Sequence, residues 1–284
     1  MPTTVKTFAE AKRKKKPLTM LTCYDYSTAK LINKAGIDSI LVGDSLGNTI
    51  LGYPNTLPVT LDDMIHHCRA VTRGAPDCLV VCDMPFMSYE TGVYDAVVNA
   101  GRLMKEGGAD AVKLEGGRRV AAQIRAIVDA GIPVQAHIGL TPQSINALGG
   151  FKVQGKDAEA AAALLADARA VEAAGAFSVV IECVPAPLAK AITEILTIPT
   201  IGIGAGADCD GQVLVYQDML GMYSDFVPKF VRQFAQLGEA MTQAFQDYAT
   251  AVKDRTFPNE SEIFTMDASL VEAAVKEFQK GDEV

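Results

Sequence analysis

AGIDSILVGD, residues 35–44, holds one full instance of the pattern that decides the fold: a helix stop at a glycine, an apolar run, and a carboxylate at its end. Glycine takes the left-handed conformation that ends a helix without Cβ strain. A short, continuously apolar run after such a stop reads as a strand covered on both faces, as in a parallel sheet. The punctuation recurs as GAPD at 74–77, GGAD at 107–110, AGIP at 130–133 and AGAF at 174–177, each followed by an apolar run.

Working outward from these repeats, strands are expected at 19–23, 39–43, 78–82, 111–114, 133–136, 178–181, 200–203 and 226–227. Helices are expected between them at 27–34, 61–73 behind a Thr60 cap, 93–106, 118–130, 158–173, 187–196 and 212–220. Eight βα units in one chain make a closed (β/α)₈ TIM barrel of the α/β class the leading architecture, with an open doubly wound sheet as the alternative. Flanking helices are expected at 4–14 and from 229 onward, with a further amphipathic stretch at 269–280.

A chain of 284 residues with 49% hydrophobic composition can bury the core of one such barrel. Its formal net charge of -8 gives no basic footprint for nucleic acid or an anionic membrane. The basic run at 12–16 is followed by no apolar stretch of signal-peptide or membrane-spanning length, so a cytoplasmic protein is expected. That run reads as the solvated end of a short helix. Six cysteines without a CxxC pair are expected to be reduced and mostly buried.

The chemistry lies in what ends each strand. LVGD stops at Asp44, LVVCD at Asp83, AVKLE at Glu115, VQAH at His137 and VVIE at Glu182. In a parallel barrel these ends converge on the face that carries the active site. One acidic strand end is often only a helix cap; five ionisable ends in succession are harder to explain that way. Clustered carboxylates repel in a desolvated mouth and call for a cation, and oxygen donors without a Cys/His cluster favour Mg²⁺. Lys113 lies two residues before Glu115, hence on the same face, where its ammonium could meet a substrate carboxylate. Taken alone His137 reads equally as a packed core histidine or a site residue, and its place in the series of strand ends tips it to the site; Ser45 reads as a cap or a contact. The glycines of IGIGAG at 201–206 follow the seventh strand, not the first, which argues against a dinucleotide loop. His66 and His67 are adjacent on a helix and share no face, so they read as surface or packing residues.

LVGDSLG at 41–47, LPVTLDDM at 57–64, DMPF at 83–86, VKLEGG at 112–117, HIGLTPQS at 137–144, GGFKVQG at 149–155, IECVP at 181–185, GIGAG at 202–206 and DGQVLV at 210–215 resemble, in order, the ketopantoate hydroxymethyltransferase family. The resemblance covers about residues 3–258, which makes 1–258 a single catalytic barrel and 259–284 a helical tail outside the match. It implies conversion of 3-methyl-2-oxobutanoate to 2-dehydropantoate, for pantothenate and coenzyme A, with 5,10-methylenetetrahydrofolate as co-substrate. It further implies Mg²⁺ on Asp44, Asp83 and Glu115, substrate contacts from Asp44, Ser45, Asp83, Lys113 and His137, and Glu182 as proton acceptor. A homo-oligomer, typically a decamer, is implied too. Two alternatives are a Mg²⁺-dependent lyase resembling isocitrate lyase, whose Cys-Gly-His loop is absent, and a binding protein on a barrel without activity.

Overall fold

Thr4 starts the first helix with a capping box: its hydroxyl accepts from the Thr7 N–H, and the Thr7 hydroxyl accepts from the Thr4 N–H. Phe8 and Ala11 of this helix, α1 (Val5–Lys14), are buried against Leu18, Met20, Val81, Val180, Ile201 and Val213, the side chains that fill the ring of strands. The helix therefore plugs the end of the ring at which the strands begin. Lys12 is not part of a solvated tail, because its ammonium lies 2.8 Å from the Asp210 carboxylate and 2.8 Å from the Thr193 carbonyl. The rest of the basic run is exposed, as expected.

The computed structural model describes residues 2–222 and 227–281. Eight parallel strands close a barrel in sequence order: β1 (Leu18–Thr22), β2 (Ser39–Val42), β3 (Leu79–Asp83), β4 (Ala111–Glu115), β5 (Val134–Gly139), β6 (Ser178–Glu182), β7 (Thr200–Ile203) and β8 (Gly211–Leu214). Between them run α2 (Tyr26–Lys34), the short α3 (Leu46–Thr49), α4 (Leu61–Gly74), α5 (Val93–Arg102), α6 (Ala121–Asp129), the short α7 (Ile145–Leu148), α8 (Ala158–Ala173) and α9 (Ala186–Ile195). The expected Thr60 cap is present and reciprocated by Asp63. The chain is thus a (β/α)₈ TIM barrel.

Two aspartates of the repeated punctuation, Asp38 and Asp110, share a structural task with Asp210. Asp38, Asp110 and Asp210 each precede a strand and accept an N–H near the start of its neighbour, from Thr19, Val80 and Thr200, all at 2.9 Å. They seal ladder ends on the stability face of the barrel.

The eighth strand corrects the sequence reading. The ring does not close at 226–227 (Phe226 lies outside the described residues and Val227 is in no strand) but at Gly211–Leu214, inside the segment read as helix 212–220. Only its end is helical, as α10 (Tyr216–Met219). Pairing with β1, Leu18↔Gly211 through Leu21↔Leu214, imposes the extended form on four residues that carry no helix stop and no long apolar run. Gly211 is needed there: a Cβ would sit 2.6 Å from the Leu18 carbonyl oxygen.

Two compact units divide the chain, Met1–Ala235 and Gln236–Val284. The division at 258/259 marks where the family motifs end, a separate criterion. The second unit holds α11 (Leu237–Lys253) and α12 (Ala268–Gly281), so the helix expected from 229 starts at Leu237. Among the described residues, no helix is long and apolar enough to cross a membrane. All six cysteines are free and, apart from half-buried Cys183, buried.

Candidate active site

Strand register makes neighbours of the residues singled out at the strand ends. Asp83 pairs with Lys113 across β3 and β4, Glu115 with His137 across β4 and β5, and Gly139 with Glu182 across β5 and β6. Aligned residues on adjacent parallel strands project to the same side, so one rim collects all of them. Asp44, Asp83, Lys113, Glu115 and His137 are each at most 5% exposed, whereas Glu182 is half-buried and opens to the mouth.

The contacts are specific. Lys113 Nζ lies 2.6 Å from Asp83 Oδ1, an ion pair whose approach is off the hydrogen-bond axis, and 3.3 Å from His137 Nδ1. Asp83 Oδ2 accepts the Asp44 backbone N–H at 3.0 Å. His137 lies between two carboxylates, with Nδ1 3.5 Å from Glu115 Oε1 and Nε2 3.2 Å from Glu182 Oε2. Ser45 stands at the start of α3 without capping it; its hydroxyl is 2.7 Å from that of buried Tyr24. The mouth therefore assembles Asp44, Ser45, Asp83, Lys113, Glu115, His137 and Glu182, and leaves out His66 and His67. His67 Nδ1 bonds the Tyr24 carbonyl at 2.7 Å, a packing role.

Electrostatics follow from this crowding. Burial, then Asp83, then Glu115, push the Asp44 carboxyl up to about 8. Burial raises Asp83 as well, against the pull of Lys113. Glu115 is held below its ordinary value: burial opposes its charge, but His137, Lys113 and the Gln143 N–H outweigh that cost. For His137, burial and Lys113 oppose protonation, yet Glu115 and Glu182 hold the ring at about 9, an imidazolium at neutral pH. Lys113 is raised by Asp83, Glu115 and Asp44 against burial.

Asp44 has a neutral amide, Gln143, as its side-chain hydrogen-bond partner, and Lys113 offsets only part of the charge in this pocket of carboxylate oxygens. That charge and donor type fit Mg²⁺, which commonly takes one or two carboxylates and keeps several waters. Among the described residues, no three His, Cys, Asp or Glu side chains form a ready cage for a metal. Asp44, Asp83 and Glu115 instead each hold a partner within the protein: Gln143, Lys113 and His137 respectively.

Sequence reasoning missed Gln143, Tyr89 and Tyr24, all buried in this mouth. None ends a strand or fits a periodic pattern. Gln143 lies within HIGLTPQS, where no position inside the motif marks it as more than a loop residue.

The profile of the ketopantoate hydroxymethyltransferase family matches residues 2–260. The chain belongs to that family. It is therefore an enzyme, a transferase. A 3-methyl-2-oxobutanoate hydroxymethyltransferase from Clostridium novyi (strain NT) is 64% identical over 272 residues, covering 96% of this chain and 99% of its own. One from Enterococcus faecalis shows the same identity and coverage. Among solved structures, 2,3-dimethylmalate lyase superposes with a TM-score of 0.59 at 17% identity, covering 100% of this chain and 99% of its own. Phosphonopyruvate hydrolase does so with 0.59 at 13% identity, covering 99% and 98%. At those identities the likeness concerns the barrel alone.

Proposed function

We propose that this enzyme transfers a hydroxymethyl group from 5,10-methylenetetrahydrofolate to 3-methyl-2-oxobutanoate, giving 2-dehydropantoate for pantothenate and coenzyme A. The name shared by its relatives supports the acceptor. The observation that carries the mechanism is Glu182, a carboxylate open to the mouth with the His137 ring 3.2 Å from it.

Glu182 removes the proton from C3, the carbon next to the ketone, as general base. His137 orients that carboxylate and places positive charge beside it. The electron pair of the broken C–H bond passes into an enolate, and C3 then bonds the methylene carbon of the folate; water supplies the hydroxyl as tetrahydrofolate leaves. Lys113, fixed by Asp83, holds the substrate carboxylate, and Ser45, fixed by Tyr24, donates to the same substrate. Asp44, Asp83 and Glu115 would hold one Mg²⁺, which supplies Lewis-acid polarisation of the 2-oxo acid oxygens. Asp44 and Asp83 thereby also border the substrate.

The test is product formation from the two substrates with and without Mg²⁺. A folded enzyme that makes no 2-dehydropantoate with Mg²⁺ or Mn²⁺ would sink the proposal. The family resemblance also supports a cytoplasmic homo-oligomer, a decamer, which sedimentation of the intact enzyme checks.

A further inference from the structure

Gln143 stands among the carboxylates with none of the roles assigned above. Its side chain is buried, at 4% exposure, and every polar atom is used. Nε2 donates to Asp44 Oδ2 at 2.8 Å and to the Met84 carbonyl at 3.0 Å, while Oε1 accepts from the Tyr89 hydroxyl at 2.6 Å. Its backbone N–H donates to Glu115 Oε2 at 3.0 Å. One residue therefore holds Asp44, just after β2, and Glu115, at the end of β4, at once.

An amide turned end for end occupies the same space, so its polarity must be set by its neighbours. Tyr89 braces it. The Glu115 N–H donates to the Tyr89 oxygen at 3.2 Å, and the hydroxyl hydrogen goes to its nearest acceptor, Gln143 Oε1, rather than to the Glu115 carbonyl at 3.3 Å. Both Nε2 hydrogens then face acceptors, Asp44 and Met84. A neutral donor in this place orients the Asp44 carboxylate without neutralising it. An ammonium there would occupy the charge that a bound cation needs.

We propose that Gln143, braced by Tyr89, is a positioning residue that holds Asp44 and Glu115 as a pair of oxygen ligands for the divalent cation. The inference rests on the metal site of the preceding section. Partners that orient ligating groups are typically worth about 10- to 100-fold in metal affinity.

Titrating the full-length protein with Mn²⁺ and counting free Mn²⁺ by EPR tests this without reference to turnover. Gln143→Met keeps the volume and removes the hydrogen bonds; it is expected to weaken Mn²⁺ by about 10- to 100-fold with an unchanged circular dichroism spectrum. Tyr89→Phe leaves Oε1 without its donor and loosens the amide, and is expected to cost about tenfold, the low end of that range. Because Tyr89 acts through Gln143, the double variant should bind no more weakly than Gln143→Met alone. A packing role would lower the melting temperature of both variants and leave Mn²⁺ affinity where it was. Parental affinity in folded Gln143→Met overturns the inference alone; if that variant does not fold, parental affinity in Tyr89→Phe does so. Additive losses in the double variant overturn the Tyr89 relay. A parent protein that binds no Mn²⁺ overturns the metal site and this inference together.

Discussion

Gly139 and Glu182 face each other across β5 and β6, so near that a Cβ on Gly139 would penetrate the Glu182 carbonyl oxygen. Gly139 has φ +95°, and its successor Leu140 donates its N–H to that same carbonyl at 2.9 Å. The glycine thus lets the chain after β5 dock on the end of β6 and fixes the backbone from which Glu182 projects.

Gly139→Ala should therefore damage both stability and catalysis. Left-handed strain and overpacking together cost about 2 to 5 kcal/mol, and the backbone under the base moves. Urea unfolding and turnover, measured on the same preparation, check this. A variant with the parental midpoint and parental turnover would remove Gly139 from this role.

Asp83 also serves stability. It is 2% exposed and its Oδ1 lies 2.6 Å from the Lys113 ammonium, which is itself buried. Asp83→Ala leaves that ammonium facing only the other acids of the mouth, and breaking a buried pair from one side costs about 3 to 5 kcal/mol. Adding Lys113→Met should restore part of the loss, so the double variant should be more stable than the two single losses predict. Denaturant melts of all four proteins form the cycle. Additive losses would mean that the pair contributes nothing to the fold.

Asp218 gives a pH signature apart from the carboxylates assigned to the site. Burial raises its carboxyl to about 6. A folded pKa above the unfolded value of about 3.9 means that folding favours the protonated form, so this group destabilises the protein at neutral pH and ceases to do so as pH falls through 6 towards 4. Asp218→Asn should be more stable than the parent at pH 8, by about 1 to 2 kcal/mol once solvent screening is allowed for, and equal to it near pH 4. Thermal melts of both proteins across that range give the difference directly, with the other acids cancelling. A gap that stays constant with pH would show that Asp218 titrates normally.

The barrel and most of its mouth were legible because both depend on local signals. A glycine stop followed by an apolar run occurs five times, and Asp44, Asp83, Glu115, His137 and Glu182 mark the ends of those runs. The eighth strand escaped because Gly211–Leu214 is extended through its partners in β1 and β7, a long-range cause. The same holds for Gln143, whose amide is 99 residues in sequence from the Asp44 carboxylate it orients, and for Tyr24, 21 residues from Ser45. Lys113 was legible as an inward-facing ammonium, but its pairing with Asp83 depends on the register between β3 and β4, which local patterning does not specify.

Glu182→Gln tests the step that defines the proposed mechanism. The amide keeps the shape of the side chain and a partner for His137 Nε2, 3.2 Å away in the parent, but it cannot accept a proton from C3. Losing a general base should slow enolisation by about 10²- to 10⁴-fold while substrate affinity changes little. Exchange of the C3 hydrogen of 3-methyl-2-oxobutanoate with deuterated solvent, followed by NMR with Mg²⁺ and without folate, isolates that step from one-carbon transfer. Parent enzyme should exchange and the variant should fall by the stated factor. If the variant exchanges at the parental rate yet forms no product, Glu182 acts in the transfer step instead. The base would then be sought at His137, whose Nε2 lies 3.2 Å from Glu182 Oε2, although its protonation at neutral pH means that it would first have to release a proton.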